Sequence, residues 1–448
     1  MSAVLPQARP HSDADASCAH RVLDHIVAEH AQEAATLRHQ RTRLVRAPQG
    51  GLPALWRLDE RIEAHLDGLA VAGGAGLAAC RAGLDGAAAG DALGPSFALG
   101  VLALRMHNEP VLELLFELAG PRSDVRQGLA SAFGWVSADT LQGVVRRTLA
   151  SPLPQARAVA LAACRMHRVD PGPALAVALT DSDATLRVAA LRAAGHLGRL
   201  DLLPQVCSAL GAADPDAAYW AAWSACRLGE RQASMPVLLA ASQQPGAAGE
   251  AALALLMATA SDEQAQDLAR TLSAVAQSHP TSAAKRRRVR AIALLGDTRF
   301  VPWLLDRMDE PALARLAAQA LCWITGADLS TLELERLDAP VSATAAATAA
   351  DDANDPDVAL DDDEGLPWPD AAGVRAWWGR APLGQAPHAP RLFMGQALAG
   401  GATQTVLLQG QQDQRAYAAL LLATQQPGSM LFAVAAPSWR QQRWLLAA

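Results

Sequence analysis

The sequence predicts an all-α chain: about seven to eight helical hairpins of ~30 residues in an array, with helices ahead of it and a small, mainly helical domain behind it. The first of three observations behind this is composition. Of the 448 residues 51% are apolar, Ala and Leu dominate them, and there are only 2 Tyr and 6 Phe. Ala and Leu lose little conformational freedom in a helix, while the residues that favour strands are scarce. The second is a period. "ALRMHNEP" (103–110) and "ACRMHRVD" (163–170) share Arg-Met-His, and Met106, Val136, Met166, Leu197 and Leu228 follow at intervals of 30, 30, 31 and 31 residues. Leu295 and Ile324 resume the register 29 apart, after an irregular interval with room for one more copy and a short insertion. The third is punctuation: each copy carries its own helix start and stop signals.

The elements follow in order. Residues 1–16 read as disordered, and 17–75 as an N-terminal helical segment with helices over 17–46 and 55–70. The array spans 76–338, and its central copy is the clearest. "PGPALAVALT" opens with Pro at a first-turn position, where the missing N–H costs nothing. In "DSDATLRVAALRAAGHLG" (181–198) the Asp-Ser-Asp turn caps the next helix, Leu186, Ala190, Ala193, Ala194 and Leu197 form one stripe, and Gly198 closes it. Such a hairpin cannot bury its own apolar face and must stack on its neighbours. "ACR" recurs at 79–81, 163–165 and 225–227, which makes Cys164 and Cys226 equivalent small core residues. Residues 339–365 read as an acidic flexible linker. Residues 366–448 form the C-terminal domain, with helices at "LPWPDAAGVRAWWGR", "TQTVLLQ" and "QQDQRAYAALLLATQQPG". The sequence leaves open whether this domain caps the array or stands apart.

Charge and cysteine usage bound the function classes. Residues 341–365 hold eight acidic side chains (Asp351, Asp352, Asp355, Asp357, Asp361, Asp362, Asp363, Glu364) and no basic one. They account for the formal charge of −7, and the remainder carries +1, so no bulk attraction to nucleic acid is expected. Six scattered Cys without a CxxC pair fit a reducing compartment. No apolar run is long enough for a membrane span, and the N-terminus lacks the pattern of a secretory signal. A cytoplasmic location is the expectation.

The central copy, with Asp in its turn and Arg187 early in the second helix, resembles HEAT-type solenoids, in particular the short-repeat kind seen in phycobilin lyases. The flanks carry a closer resemblance. "LWRLDERIEAHLDGLAVAG", "FVPWLLDRMDEPALARLAAQALCWITGADL", "LPWPD", "RLFMGQAL" and "APSWRQQR", spread over about 20–445, resemble a family of bacterial HEAT-like proteins encoded beside type VI secretion spike and effector genes. This resemblance implies a role near effector loading and brings no catalytic residues with it.

"GGAGLAA" (73–79) has the Gly spacing of a dinucleotide loop but follows a helical pattern, so it reads as an interhelical loop. His20, His25 and His30 recur every five residues and turn to different sides of a helix, so they cannot meet one metal. The acidic "DDDE" lacks the turn of a calcium loop. No metal or cofactor is expected. "KRRRVR" (285–290), with Arg286, Arg287 and Arg288, reads first as an exposed helix end. Its second reading is a surface for acidic protein, this chain's own 351–364 included, and its third is nucleic acid. Trp220 and Trp223 lie on one side of a repeat helix, either as inter-repeat packing or as an anchor for a partner peptide. Arg192 and His196 fall off the apolar stripe and read as array surface. The expectation is a non-catalytic protein-interaction scaffold, an adaptor or chaperone for a type VI effector or spike component. The alternatives are an enzyme of the bilin-lyase or DNA-glycosylase kind and a general signalling scaffold. The oligomeric state is left open.

Overall fold

The computed structural model describes residues 22–336, 363–385, 391–398 and 402–446. The expected disordered N-terminus and most of the acidic linker lie outside these residues. The described chain is all-α, with 22 α-helices and two strand pairs of two residues each. In chain order the helices begin with α1 (Asp24–Leu44), α2 (Leu52–Val71), α3 (Gly74–Asp85), α4 (Leu93–Arg105), α5 (Glu109–Leu118) and α6 (Ser123–Trp135). Next come α7 (Val144–Leu149), α8 (Pro154–His167), α9 (Pro173–Leu179), α10 (Ala184–Leu197), α11 (Leu203–Ser208) and α12 (Pro215–Leu228). The central run closes with α13 (Arg231–Ser242), α14 (Ala247–Thr259), α15 (Asp262–Ser278), α16 (Ser282–Leu295), α17 (Val301–Arg307) and α18 (Ala314–Thr325). The C-terminal part holds β1 (Glu335–Arg336), β2 (Trp368–Pro369), α19 (Ala371–Arg380), β3 (Leu392–Phe393), β4 (Gln396–Ala397), α20 (Ala402–Gln409), α21 (Gln412–Gln425) and α22 (Ser438–Leu446).

One layer is formed by α4, α6, α8, α10, α12, α14, α16 and α18, each packed on the next. Every one of these also packs on the helix that precedes it, so the odd-numbered helices from α3 to α17 form an outer layer. The α10 copy explains the geometry. Asp183 accepts the Leu186 N–H at 2.8 Å, which caps the helix start. The predicted stripe from Leu186 to Leu197 is buried against α8 and α12, and each buried Leu contributes about 2 kcal/mol. Gly195 lets α12 approach closely, since a Cβ there would stand 2.3 Å from Ser224 Oγ. Ser224 uses that proximity to donate to the Leu191 carbonyl at 2.7 Å. Gly198 ends the helix at φ 71°, and the Arg199 N–H returns to the Ala194 carbonyl.

Left-handed residues close α8, α12, α16 and α18 in the same way, at Arg168, Gly229, Gly296 and Gly326. Two layer helices lack that stop. α6 and α14 run into extended Val136 and Ala260, and arginines from the C-terminal part take over their carbonyls. Arg440 donates to Gly134 and Val136 at 2.7 Å and to Trp135 at 3.2 Å. Arg391 donates to Met257 and Ala260 on α14, and to Leu295 on α16, at 2.9–3.1 Å. The irregular interval of the sequence holds one further layer helix, α14. Its extra length sits in the outer layer, where α13 and α15 have 12 and 17 residues against six or seven in α7, α9, α11 and α17.

The C-terminal part runs back past the C-terminal ends of the layer helices, with α19 packed on α17. Leu392 and Met394 donate to the carbonyls of Gly296 and Trp323, at the ends of α16 and α18. α21 packs on α14, Leu431 N–H bonds the His196 carbonyl, and α22 reaches α2. At the other end of the layer α1 packs on both α3 and α4. The C-terminal part meets α1 and α2 at a buried node. Arg41 pairs with Asp59 at 2.6 Å and donates to the carbonyls of Ala435 and Ala436, and the Ser438 N–H bonds Asp59 at 2.7 Å. A buried ion pair needs such extra bonds to offset its desolvation.

Candidate functional site

Helices α10 and α12 carry most of the residues singled out by sequence. Arg192 lies over the Trp220 ring, with its guanidinium carbon 4.5 Å from the centroid. His196 stacks on Trp223 with centroids 4.7 Å apart, and Trp220 meets Trp223 edge-on at 5.6 Å. Trp223 is buried, whereas Arg192, His196 and Trp220 are half-buried. The sequence-predicted set Arg192, His196, Trp220 and Trp223 thus forms one cluster. Leu431 and Phe432 of the C-terminal segment belong to the same hydrophobic cluster as Trp220 and Trp223, and the Leu431 N–H bonds the His196 carbonyl.

The cluster also contains residues that the sequence reading passed over. Arg165, on α8, feels the charge of Arg192, and burial first of all lowers the Arg192 guanidinium from its ordinary range, with Arg46 adding to it. Burial first, then Arg192, holds the Arg165 guanidinium well below the ordinary arginine range. His196 is held far below the usual histidine range by burial and then by Arg165 and Arg192, so it is neutral at pH 7. Its Nδ1–H donates to the Arg192 carbonyl at 2.8 Å, which leaves Nε2 unprotonated. Tyr219 packs against Trp220, donates to the Ala248 carbonyl at 3.0 Å and is pushed up to about 12 by burial. The signal that could have found Arg165 is the recurrent "ACR": its Cys164 is buried, and Arg165, the next residue, is only half-buried. The chemistry on offer is recognition, through guanidinium donors, a neutral imidazole and indole rings.

The basic run follows a different logic. Arg286 pairs with Asp363 of the acidic stretch, bonding one oxygen at 2.8 Å, and Arg315 donates to the Asp363 carbonyl at 3.0 Å. Arg288 lies 4.1 Å above the Trp303 ring, and Arg290 pairs with Glu250. Arg287 is half-buried on the same helix. This run therefore packs largely on its own chain and stands apart from the α8–α12 cluster.

Other candidates resolve into structure. "GGAGLAA" leads from the end of α2 into α3, with Gly73 at φ 57°. His30 meets His65 of α2, Nδ1 to Nδ1 at 3.0 Å, and among the described residues no group of three or more metal-ligating side chains occurs. Cys80, Cys164 and Cys226 are buried, and burial pushes the first two thiols up to about 12 and about 11. No described helix is long and apolar enough to cross a membrane. An open cleft of about 550 Å³ lies between α7 and α9 on the outer side, lined by Val145, Leu149 and Val169. Neither protein-family models nor curated protein sequences give a match to this chain.

Proposed function

We propose that this chain is a HEAT-like α-solenoid acting as a non-catalytic protein-interaction scaffold in the cytoplasm, an adaptor or chaperone for a type VI secretion effector or spike component. One observation carries the interaction reading. Two successive layer helices, α10 and α12, bring Arg192, His196, Trp220 and Trp223 into mutual contact, and α8 beside them carries Arg165. Arg and Trp are the residue types that dominate binding energy at protein interfaces, and a stacked helical array offers them along an extended surface. The five described cysteines are free, which suits a reducing compartment. The link to secretion rests on the sequence resemblance of the flanks. Purification of the full chain from its native host tests the proposal. Recovery of a stoichiometric effector, spike or adaptor protein is the expected result, and retention of nucleic acid or a tetrapyrrole in place of a protein overturns it.

A further inference from the structure

We propose that His30 of α1 and His65 of α2 form a chelating pair for one divalent transition-metal ion of the Ni²⁺ or Cu²⁺ kind. The site is independent of the interaction reading above. The argument begins with where the rings turn. His167 and His196 each turn a ring nitrogen to a backbone carbonyl, of Phe133 and of Arg192, at 2.8 Å. His30 and His65 turn to each other instead, with their Nδ1 atoms 3.0 Å apart and their rings inclined at 66°. Two nitrogens ~2.0–2.1 Å from one ion lie about 2.9 Å apart at a right angle and about 3.3 Å apart at the tetrahedral angle. The observed spacing fits two adjacent corners of a tetragonal site, the geometry of Cu²⁺ and Ni²⁺. The χ2 torsion of histidine is soft, so a turn of each ring aims both lone pairs at an ion between them.

The fold prepares this pair. α1 packs on α2, and Gly68 of α2 leaves room for the His30 ring, since a Cβ there would stand 2.9 Å from its Nε2. Both rings are half-buried, which holds them in place and keeps the pair open to an ion and to the waters that complete its shell. Burial first, then the charge of His30, lowers His65 below the usual histidine range, so its ring is a neutral ligand at pH 7. Glu33, half-buried and one turn beyond His30, and Glu29 act on His65 as negative charges, with Arg61 opposing them. Carboxylates at that range favour a dication. Without an ion one Nδ1 carries the proton of the contact. On binding, that ring takes the tautomer protonated at Nε2, so no net proton is released. The bound ion joins the two helices ahead of the array and stabilises them by mass action.

The test titrates the tag-free, full-length chain with Ni²⁺ by calorimetry at about pH 7, where unperturbed imidazoles are mostly neutral. One ion should bind per chain at sub-millimolar concentration. His30→Ala and His65→Ala should each weaken it about a hundredfold, because a single imidazole loses the effective concentration of its neighbour. His25→Ala and His39→Ala, at exposed positions of the same helix α1, should leave it unchanged. Circular dichroism checks that the variants fold. The Cu²⁺-loaded parent gives a readout that needs no variant: its electron paramagnetic resonance should show two equatorial nitrogens. Hydrogen exchange of α1 and α2 should slow when Ni²⁺ is added to the parent and stay unchanged in His65→Ala. The proposal is overturned if the parent binds no Ni²⁺ below millimolar concentration, which leaves the two rings as a hydrogen-bonded pair only. It is also overturned if the double variant His30→Ala/His65→Ala binds like the parent, if His25→Ala or His39→Ala abolishes binding, or if the Cu²⁺ resonance shows fewer than two nitrogens.

Discussion

Replacing Arg440 with methionine removes the cap of a helix that has no other. α6 ends in extended Val136 instead of a left-handed residue, and its last carbonyls, at Gly134, Trp135 and Val136, accept from the Arg440 guanidinium at 2.7–3.2 Å. Three charge-assisted bonds are lost, each worth about 1.5–3 kcal/mol, and three buried carbonyls are left to find water. Burial works the other way, since it pushes the guanidinium down to about 10 from the ordinary 12.5 and so costs about 3 kcal/mol in the parent. Methionine recovers that cost and keeps most of the apolar stem. The net loss is about 3 kcal/mol, confined to the docking of α22 and the end of α6. Hydrogen exchange resolved by peptide is the assay, because local opening reports local free energy. Amides of residues 438–446 and the last turn of α6 should lose about a hundredfold of protection, while α10 and α12 keep theirs. Unchanged exchange over 438–446 refutes the idea that Arg440 pins the C-terminal segment to the array.

Three further outcomes follow from other contacts. Gly198→Ala places a Cβ 2.3 Å from the Gly428 carbonyl at a φ of 71°, so it should cost about 2 kcal/mol in urea denaturation and loosen 426–432 against α10. Burial pushes the Asp413 carboxyl up to about 7, so its contribution to stability falls as pH rises from about 4 to 7. Asp413→Asn keeps an acceptor for the Gln319 bond (2.8 Å), so its stability relative to the parent should rise by about 2–3 kcal/mol between about pH 5 and pH 8. His167 has the opposite sign. Burial first, then Arg440, holds it down to about 4, so it is neutral when folded and protonates on unfolding below its ordinary 6.5. Its contribution is complete above pH 6.5 and is lost progressively towards pH 4, about 3 kcal/mol in all. His167→Gln, measured by urea midpoint near pH 7 and pH 4.5, should remove that part of the acid sensitivity.

The copy from Asp181 to Gly198 was legible residue by residue, because its cap, its stripe and its stop are all local. The Asp183 cap, the buried Leu186-to-Leu197 face and the left-handed Gly198 stand as the pattern requires. α6 and α14 were less legible for the converse reason. Their ends are completed by Arg440 and Arg391, 306 and 131 residues away in sequence, and no local signal announces such a cap. The same distance hides the path of residues 391–398 and 402–446 along the layer, which the sequence leaves open. Within the candidate site, helical spacing placed Trp220 with Trp223 and set Arg192 and His196 off the apolar stripe. It could not reveal that His196 stacks on Trp223, because that contact joins two helices. Arg165 follows Cys164 in the recurrent "ACR", where nothing local sets it apart from its neighbours. Charge complementarity did suggest a contact between the basic run and the acidic stretch, and Arg286 meets Asp363 there. That Arg288 lies on Trp303 instead was beyond reach of pattern alone.

Site-specific photo-crosslinking in the native host tests the central claim most directly. One crosslinker replaces Val188, half-buried on α10 one turn before Arg192, and a second replaces Val177, 64% exposed on outer helix α9 near the apolar cleft. The account predicts a discrete protein adduct from position 188 that disappears with Arg192→Gln, and none from 177. Adducts from position 177 alone, or nucleic acid attached at 188, would contradict it.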